Sequence, residues 1–181
     1  MSSSQTASSA ARPGSRVAGT RAAVVLALLA LAASGARPAL AQDTVADVRK
    51  LAAQALAQGA YVDAIGYLTQ LVEWFKDSRT ASMLQELEAV YYNLGLCHLV
   101  LGQFGETRTV YEEYLKRYRT GFRAAEVVAF VGDSLRYEKK YKEALDVYRK
   151  ALKTYRGDYL QNPDLYTDVL VSMVRCLLAE D

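Results

Sequence analysis

The sequence has few of the residues from which metalloenzymes and small disulfide-bonded domains are built. Its 181 residues include one histidine, two cysteines and three prolines. One imidazole and two thiols are too few for a metal cluster or a disulfide framework. The scarcity of proline is typical of long helices, because proline breaks a helix interior. We therefore expect a helical chain without a metal or any other cofactor.

The sequence also lacks an excess of charge of one sign. It has 22 basic and 20 acidic side chains, for a net charge of +2. Residues 1–41 contain four arginines and no acidic residue, so the remainder, with 18 basic and 20 acidic side chains, has a net charge of −2. A slightly acidic chain lacks the basic surface with which proteins bind phosphates. Nucleic acid is therefore not an expected partner.

No apolar run in the sequence is long enough to be a dependable membrane span. The apolar run over residues 22–33 falls short of the about 20 residues that a spanning helix needs. It follows an arginine-containing leader and precedes Ala39-Leu40-Ala41, a small-x-small site. This order is typical of a secretory signal peptide cleaved after Ala41. We expect a periplasmic or secreted mature chain, residues 42–181, without an integral span; the alternative is an organelle transit peptide.

The remaining sequence repeats itself. Each copy has an aromatic residue, a small residue three positions later and a bulky residue four further on. An aliphatic-small pair precedes each copy at the same offset. The aromatic-small-bulky sets are Tyr61, Ala64, Leu68; Phe104, Thr107, Tyr111; and Tyr141, Ala144, Tyr148, and the preceding pairs are Leu51-Ala52, Leu94-Gly95 and Val131-Gly132. Small residues allow two helices to approach closely, and a single hairpin leaves an apolar face that must be covered by stacking. The pattern predicts a solenoid of helical hairpins.

At these residues the chain resembles the tetratricopeptide-repeat family, and more weakly its exported members from the bacterial envelope. The third copy, with Val128, Val131-Gly132, Leu135, Ala144 and Tyr148, is the closest match. The resemblance implies an all-α, right-handed superhelical solenoid behind the signal peptide. The repeat domain over residues 42–181 would comprise units at about 45–78, 88–121 and 125–158 and a partial unit at 163–181. The long spacer over residues 76–88 predicts helices extended by a turn or more.

The last helix, predicted to begin at Pro163, has apolar residues spread around it rather than along one stripe. Its Leu170, Met173, Val174 and Leu177 resemble the first helix of a fourth unit, but no second helix follows within the sequence. Two explanations remain open. The chain is a fragment of a longer protein, or this helix docks on a partner or on a second copy.

The resemblance also implies a binding groove lined by the first helices. The groove residues are Arg49, Ala53, Tyr92, Asn93, Leu96, Leu99, Phe130, Asp133, Arg136 and Tyr137. Arg49 and Asn93 could serve in a carboxylate clamp, but Ala53, Glu126 and Phe130 stand where the clamp needs polar or basic residues. The groove is therefore expected to hold an extended peptide or an apolar helix face, although the same side chains could instead pack against an amino-terminal segment or a missing next repeat.

Gly132-Asp133-Ser134-Leu135 matches the signature of the GDSL esterases, in which the serine is the nucleophile. The motif lies inside a predicted helical repeat, and the only histidine, His98, precedes it without an Asp-x-x-His segment. We expect His98, Cys97 and Cys176 to be structural. The function expected is that of a non-enzymatic scaffold for protein-protein interaction in the cell envelope. The alternative is a helical accessory region of a larger secreted enzyme or assembly machine.

Overall fold

The computed structural model describes residues 39–179 of the chain. The predicted signal peptide lies outside this range, except for its last three residues, with which the first helix begins. The described residues form eight α-helices and no strand. They are α1 (Ala39–Ala57), α2 (Tyr61–Phe75), α3 (Ala81–Val100), α4 (Phe104–Arg117), α5 (Ala124–Tyr137), α6 (Tyr141–Thr154), α7 (Arg156–Gln161) and α8 (Pro163–Leu178).

The first six helices form three hairpins. The two helices of each hairpin are joined by the same kind of turn. Gly59, Gly102 and Lys139 occupy equivalent places with φ angles of 69°, 71° and 62°. The amide of the next residue donates to the carbonyl five residues earlier, with a distance of 2.9 Å in each turn. This bond satisfies a carbonyl that the end of the first helix would leave unpaired. The predicted repeat is thus reproduced by the backbone.

Within the second and third hairpins, a glycine of the first helix lies against a tyrosine ring of the second. A Cβ atom built on Gly95 would overlap the ring of Tyr111, and one built on Gly132 would overlap the ring of Tyr148. Both rings are fully buried. The aliphatic-small pairs are therefore explained by a close approach of the two helices. In the first hairpin the corresponding residues, Ala52 and Leu68, are also buried.

The hairpins stack so that the second helix of each hairpin packs on the first helix of the following unit: α2 on α3, α4 on α5, and α6 on α8. α8 therefore takes the place that the first helix of a fourth unit would have. Its buried residues Val169 and Cys176 correspond to the buried Val90 and Cys97 of α3. The all-α solenoid expected from the sequence is confirmed.

Two features depart from a simple repeat. α3 begins at Ala81, well before the predicted unit at 88, which confirms that the spacer extends a helix. The short helix α7 was not predicted, and it packs on α6 and α8. It buries Tyr159, whose hydroxyl donates to the Ala125 carbonyl at 2.8 Å. Among the described helices, none is long and apolar enough to cross a bilayer.

Candidate functional site

The first helices of the units lie side by side and create one continuous surface. α3 contacts α5, and α5 contacts α8. An ion pair between Arg49 and Glu86 joins α1 to α3. We call the solvent-facing side of α1, α3, α5 and α8 the inner surface. All ten residues of the predicted groove lie on α1, α3 and α5.

Arg49 is paired within the protein rather than left open to a ligand. Its Nη2 atom donates to Oε2 of Glu86 at 2.7 Å, and its Nε atom donates to the other oxygen of the same carboxylate. Its guanidinium also lies over the ring of Phe75, 5.4 Å from the centroid. A planar guanidinium suits this two-bond geometry. A ligand carboxylate would have to displace Glu86 to reach Arg49.

Tyr92, which the sequence predicts in the groove, has a side chain that is almost fully enclosed in the wall of the solenoid. It is 8% exposed, and its hydroxyl donates to Oε1 of Glu126 at 2.7 Å. Arg123 donates to Oε2 of the same carboxylate at 3.1 Å, and its guanidinium lies 4.2 Å from the Tyr92 ring centroid. Burial, with the hydrogen bond to Glu126, raises the pKa of Tyr92 to about 12. The phenol is thus fixed as a donor that links α3 to α5.

Asp133 is the centre of a second polar network. Its Oδ1 atom accepts hydrogen bonds from the Tyr148 hydroxyl at 2.8 Å, the Arg136 Nη2 at 3.0 Å and the Ser172 hydroxyl at 3.2 Å. These donors come from α5, α6 and α8. Burial and the negative charge of Asp133 raise the pKa of the Tyr148 phenol. Asp133 and Arg136 therefore connect the last three long helices and carry little unpaired charge toward a ligand.

Phe130 and Asn93 also make contacts within the solenoid. The half-buried ring of Phe130 lies between the rings of Tyr92 and Tyr111, with centroid distances of 6.2 and 6.0 Å. The side-chain amide of Asn93 donates to the carbonyl of Ala89 on its own helix at 2.9 Å. These contacts stabilise the wall beneath the inner surface.

Aliphatic and aromatic side chains are also accessible on the inner surface. Ala53 is exposed, and Leu96 and Leu99 are half-buried. Tyr137 is 54% exposed and stacks on Phe104, with ring centroids 5.4 Å apart and an interplanar angle of 12°. The guanidinium of Arg136 lies over the Tyr137 ring, 4.2 Å from its centroid. Such a rigid aromatic side chain provides contact area at small entropic cost.

Two of the cavities that adjoin these helices differ in size and place. The smaller, about 170 Å³, lies between α5 and α8 on the inner surface, where Asp168 and Leu165 face Glu126 and Phe130. The larger, about 640 Å³, lies between α4 and α6, the second helices of their hairpins. We call it the outer groove. Its walls include Leu115, Val128, Val131 and Val147, and its charged residues are Glu112, Lys116, Arg119 and Lys150.

The residues that resemble catalytic groups have structural surroundings. Ser134 is fully buried, and its hydroxyl donates to the Val131 carbonyl at 2.7 Å. His98 is half-buried, with Nδ1 2.7 Å from Oε1 of Gln103. Cys97 and Cys176 are both buried, and burial raises the pKa of the Cys97 thiol to about 11. A nucleophilic serine needs access to substrate and a neighbouring base, and the surroundings of Ser134 provide neither. In the described part of the chain, no three His, Cys, Asp or Glu side chains are grouped to hold a metal.

The stacked hairpins and their shared turn define an α-helical repeat protein with an inner surface built from its first helices. Residues 89–120, which include most of α3 and all of α4, match the tetratricopeptide repeat family. Over these residues the resemblance to the tetratricopeptide repeat that was seen in the sequence is confirmed. No curated protein shows a significant sequence match to the chain.

Three residues that shape the inner surface were not identified from the sequence. Glu86 pairs with Arg49, Phe104 stacks on Tyr137, and Ser172 bonds to Asp133. Phe104 is the turn aromatic of the second unit. The repeat pattern could therefore have indicated its contact with Tyr137, at the end of the first helix of the third unit. Glu86 lies in the extension of α3, outside the predicted unit, where no repeat pattern indicates its partner.

Proposed function

We propose that this protein is an exported scaffold whose inner surface binds an apolar peptide or one face of a partner helix. Tetratricopeptide repeats are typical of proteins that mediate protein-protein interaction. Stacked hairpins present a rigid curved surface, and side chains along it determine which partner binds. The proposal of export and of an envelope location is supported by the apolar run and the Ala39-Leu40-Ala41 site in the sequence.

The observation that carries the proposal is the pairing of charges along the inner surface. Arg49 pairs with Glu86, Arg123 with Glu126, and Arg136 with Asp133. Because these charges are already neutralised, a charged ligand gains little by contacting them and would have to break existing bonds. The side chains left accessible include Ala53, Leu96 and Tyr137. Apolar surface of this kind binds an apolar helix or an extended peptide.

Site-specific photo-crosslinking in cells tests the location of the binding site. A photoreactive phenylalanine derivative would be placed at Tyr137 on the inner surface, at Lys150 in the outer groove, or at Val62 on α2. Val62 is 70% exposed and serves as the matched control. We expect one partner to be captured from position 137 and not from position 62, with capture abolished by Leu96→Glu. Capture from position 150 alone would assign binding to the outer groove and overturn the proposal.

The proposal of export has its own test. The purified protein is expected to have Gln42 as its amino-terminal residue, because cleavage after Ala41 leaves it there. Amino-terminal sequencing of protein from a fractionated host would identify that residue and the compartment. A chain that starts at Met1 and stays in the cytoplasmic fraction would contradict export, while binding by the inner surface would remain open to the crosslinking test.

A further inference from the structure

The outer groove between α4 and α6 has a half-buried apolar floor. The floor consists of Leu115 on α4, Val128 and Val131 on α5, and Val147 on α6. The lining residues of α4 and of α6 recur at helical spacing, so each helix presents one face to the groove. The volume of about 640 Å³ lies within the range of roughly 300–1,000 Å³ that is usual for clefts that bind a ligand. The groove is therefore large enough to hold several side chains of a ligand.

The equivalent groove of the preceding units, between α2 and α4, contains larger side chains. Tyr91 and Tyr114 are buried there. The Nη1 atom of Arg117, at the end of α4, donates to the carbonyl of Lys76, at the end of α2, over 2.9 Å. The guanidinium of Arg117 also lies 5.8 Å from the ring centroid of Tyr91. Arg117 thus spans the gap between the two helices.

The outer groove stays open because smaller residues stand at the equivalent positions. The register in which Tyr148 follows Tyr111 relates Tyr91 to Val128, Tyr114 to Ala151, and Arg117 to Thr154. A valine, an alanine and a threonine occupy less volume than two tyrosines and an arginine, and a threonine is too short to span two helices. In this pair of units the hydroxyl of Tyr155 instead donates to the Arg119 carbonyl at 3.1 Å. The open groove is therefore a departure from the repeat.

The charges of the two grooves also differ. In the groove between α2 and α4, Lys76 pairs with Glu73 at 2.6 Å and Arg117 pairs with Glu113 at 2.7 Å. The register of Leu68, Tyr111 and Tyr148 places Lys116 where Glu73 stands, and Lys150 where Glu113 stands. Two paired carboxylates are thus replaced by two lysines in the outer groove.

The cations of the outer groove are available to a ligand. The side chain of Lys116 is 71% exposed, and its ammonium lies 3.7 Å from the carboxylate of Glu113. Among the described side chains, no carboxylate lies within 4 Å of the cationic groups of Arg119 or Lys150. Glu112 is the one acidic residue in the lining. The groove therefore carries an excess of positive charge around its apolar floor.

We propose that the outer groove binds an acidic segment of a partner protein that also carries large apolar side chains. The carboxylates of the segment pair with Lys116, Arg119 and Lys150, and its apolar side chains cover the floor. Cations stand on both walls, so a segment with several carboxylates meets more of them than a lipid with one acidic head group does. Complementary charges of this kind orient a partner and select against basic ones. Binding here does not require a ligand at the inner surface.

Selection of peptides from a phage-displayed random library tests the proposal, with the immobilised protein purified from its full-length coding sequence. We expect the selected peptides to combine aspartate or glutamate with large apolar residues. Fluorescence anisotropy of the most enriched peptide gives its Kd. Lys150→Glu reverses one charge of the groove and is expected to weaken binding by about tenfold or more. Lys50→Glu, the same change at an exposed lysine on α1, is the matched control and should leave the Kd unchanged.

A second variant tests the shape of the groove. Val128→Tyr/Thr154→Arg introduces the residues of the groove between α2 and α4, so it should fill the outer groove and also weaken binding by about tenfold. Circular dichroism checks that each variant is folded. Selected peptides without acidic residues would overturn the proposal, and so would peptides whose Kd is unchanged by Lys150→Glu. A selection that yields no binding peptide would overturn it as well.

Discussion

The ring of Tyr148 lies so close to Gly132 that a methyl group on the glycine would overlap it. The same relationship holds between Tyr111 and Gly95 in the preceding hairpin. Each glycine brings two helices close enough for a tyrosine to be fully buried between them, with its hydroxyl bonded to a polar group on the first helix. Tyr111 donates to the Tyr92 carbonyl at 3.2 Å, and Tyr148 donates to Asp133 at 2.8 Å. This contact stabilises the repeat unit.

Gly132→Ala is therefore expected to destabilise the protein by about 1–3 kcal/mol, the usual cost of overpacking a core. Gly66→Ala is the matched control. Gly66 lies in the interior of α2, and a Cβ there would meet nothing within 4 Å. The control should stabilise by about 0.5–1 kcal/mol through helix propensity. Urea unfolding measures both changes, and equal effects of the two variants would contradict the close-approach interpretation.

Lys139→Gly is expected to stabilise the third hairpin. Lys139 has a φ angle of 62°, whereas glycine occupies the equivalent place in the other two turns. A left-handed conformation costs a residue with a Cβ roughly 1–2 kcal/mol, and glycine avoids this cost but loses more entropy on folding. The net gain should be about 0.5–1 kcal/mol in the free energy of unfolding. Lys140→Gly, at a neighbouring position with a φ angle of −87°, should give no gain.

Asp133→Ala is expected to lower the free energy of unfolding by about 2 kcal/mol, because it leaves the partners of a charged acceptor unsatisfied. Asp133 accepts from Arg136, Tyr148 and Ser172. Asp146 provides the control, since its side chain is 79% exposed and pairs only at the surface of α6 with Arg149. Asp146→Ala should change stability by less than about 0.5 kcal/mol. Urea unfolding of the two variants at pH 7 makes the comparison.

High pH should destabilise the protein through its buried tyrosines. Burial raises the pKa of Tyr92 from 10 to about 12, and burial also raises the pKa values of Tyr111, Tyr114, Tyr148 and Tyr159. Because these pKa values are higher in the folded state, the neutral phenols contribute their full stabilisation below pH 10. The contribution of Tyr92 is lost as the pH rises from 10 through 12. Urea unfolding should show a steep decline over this interval.

Tyr92→Phe provides the comparison for the alkaline decline. It removes one of the phenols whose pKa is raised, so the free energy of unfolding should depend less on pH above 10. The variant also loses the hydrogen bond to Glu126, which should cost about 1.5–3 kcal/mol at pH 7 because the acceptor is charged. An alkaline decline as steep as that of the original protein would show that Tyr92 does not contribute to it.

The repeat pattern predicted the hairpins, their turns and the place of α8 because each depends on residues close together in the sequence. The aromatic at positions 61, 104 and 141 follows its turn, and the small residue three positions later is buried in every unit. The enclosure of the Tyr92 side chain was not predicted, for a different reason. Helical register indicates which way a side chain points, but it does not show that Glu126 and Arg123 from the next unit enclose the phenol.

The sequence by itself determined the helical hairpins and their order, since helix formation and close approach follow from local spacing of small and aromatic residues. Only the tertiary structure decided which polar groups remain available to a ligand. The partners concerned, Arg49 with Glu86 and Ser172 with Asp133, are 37 and 39 residues apart. Their pairing depends on how neighbouring units stack, because only stacking brings those side chains within hydrogen-bonding distance.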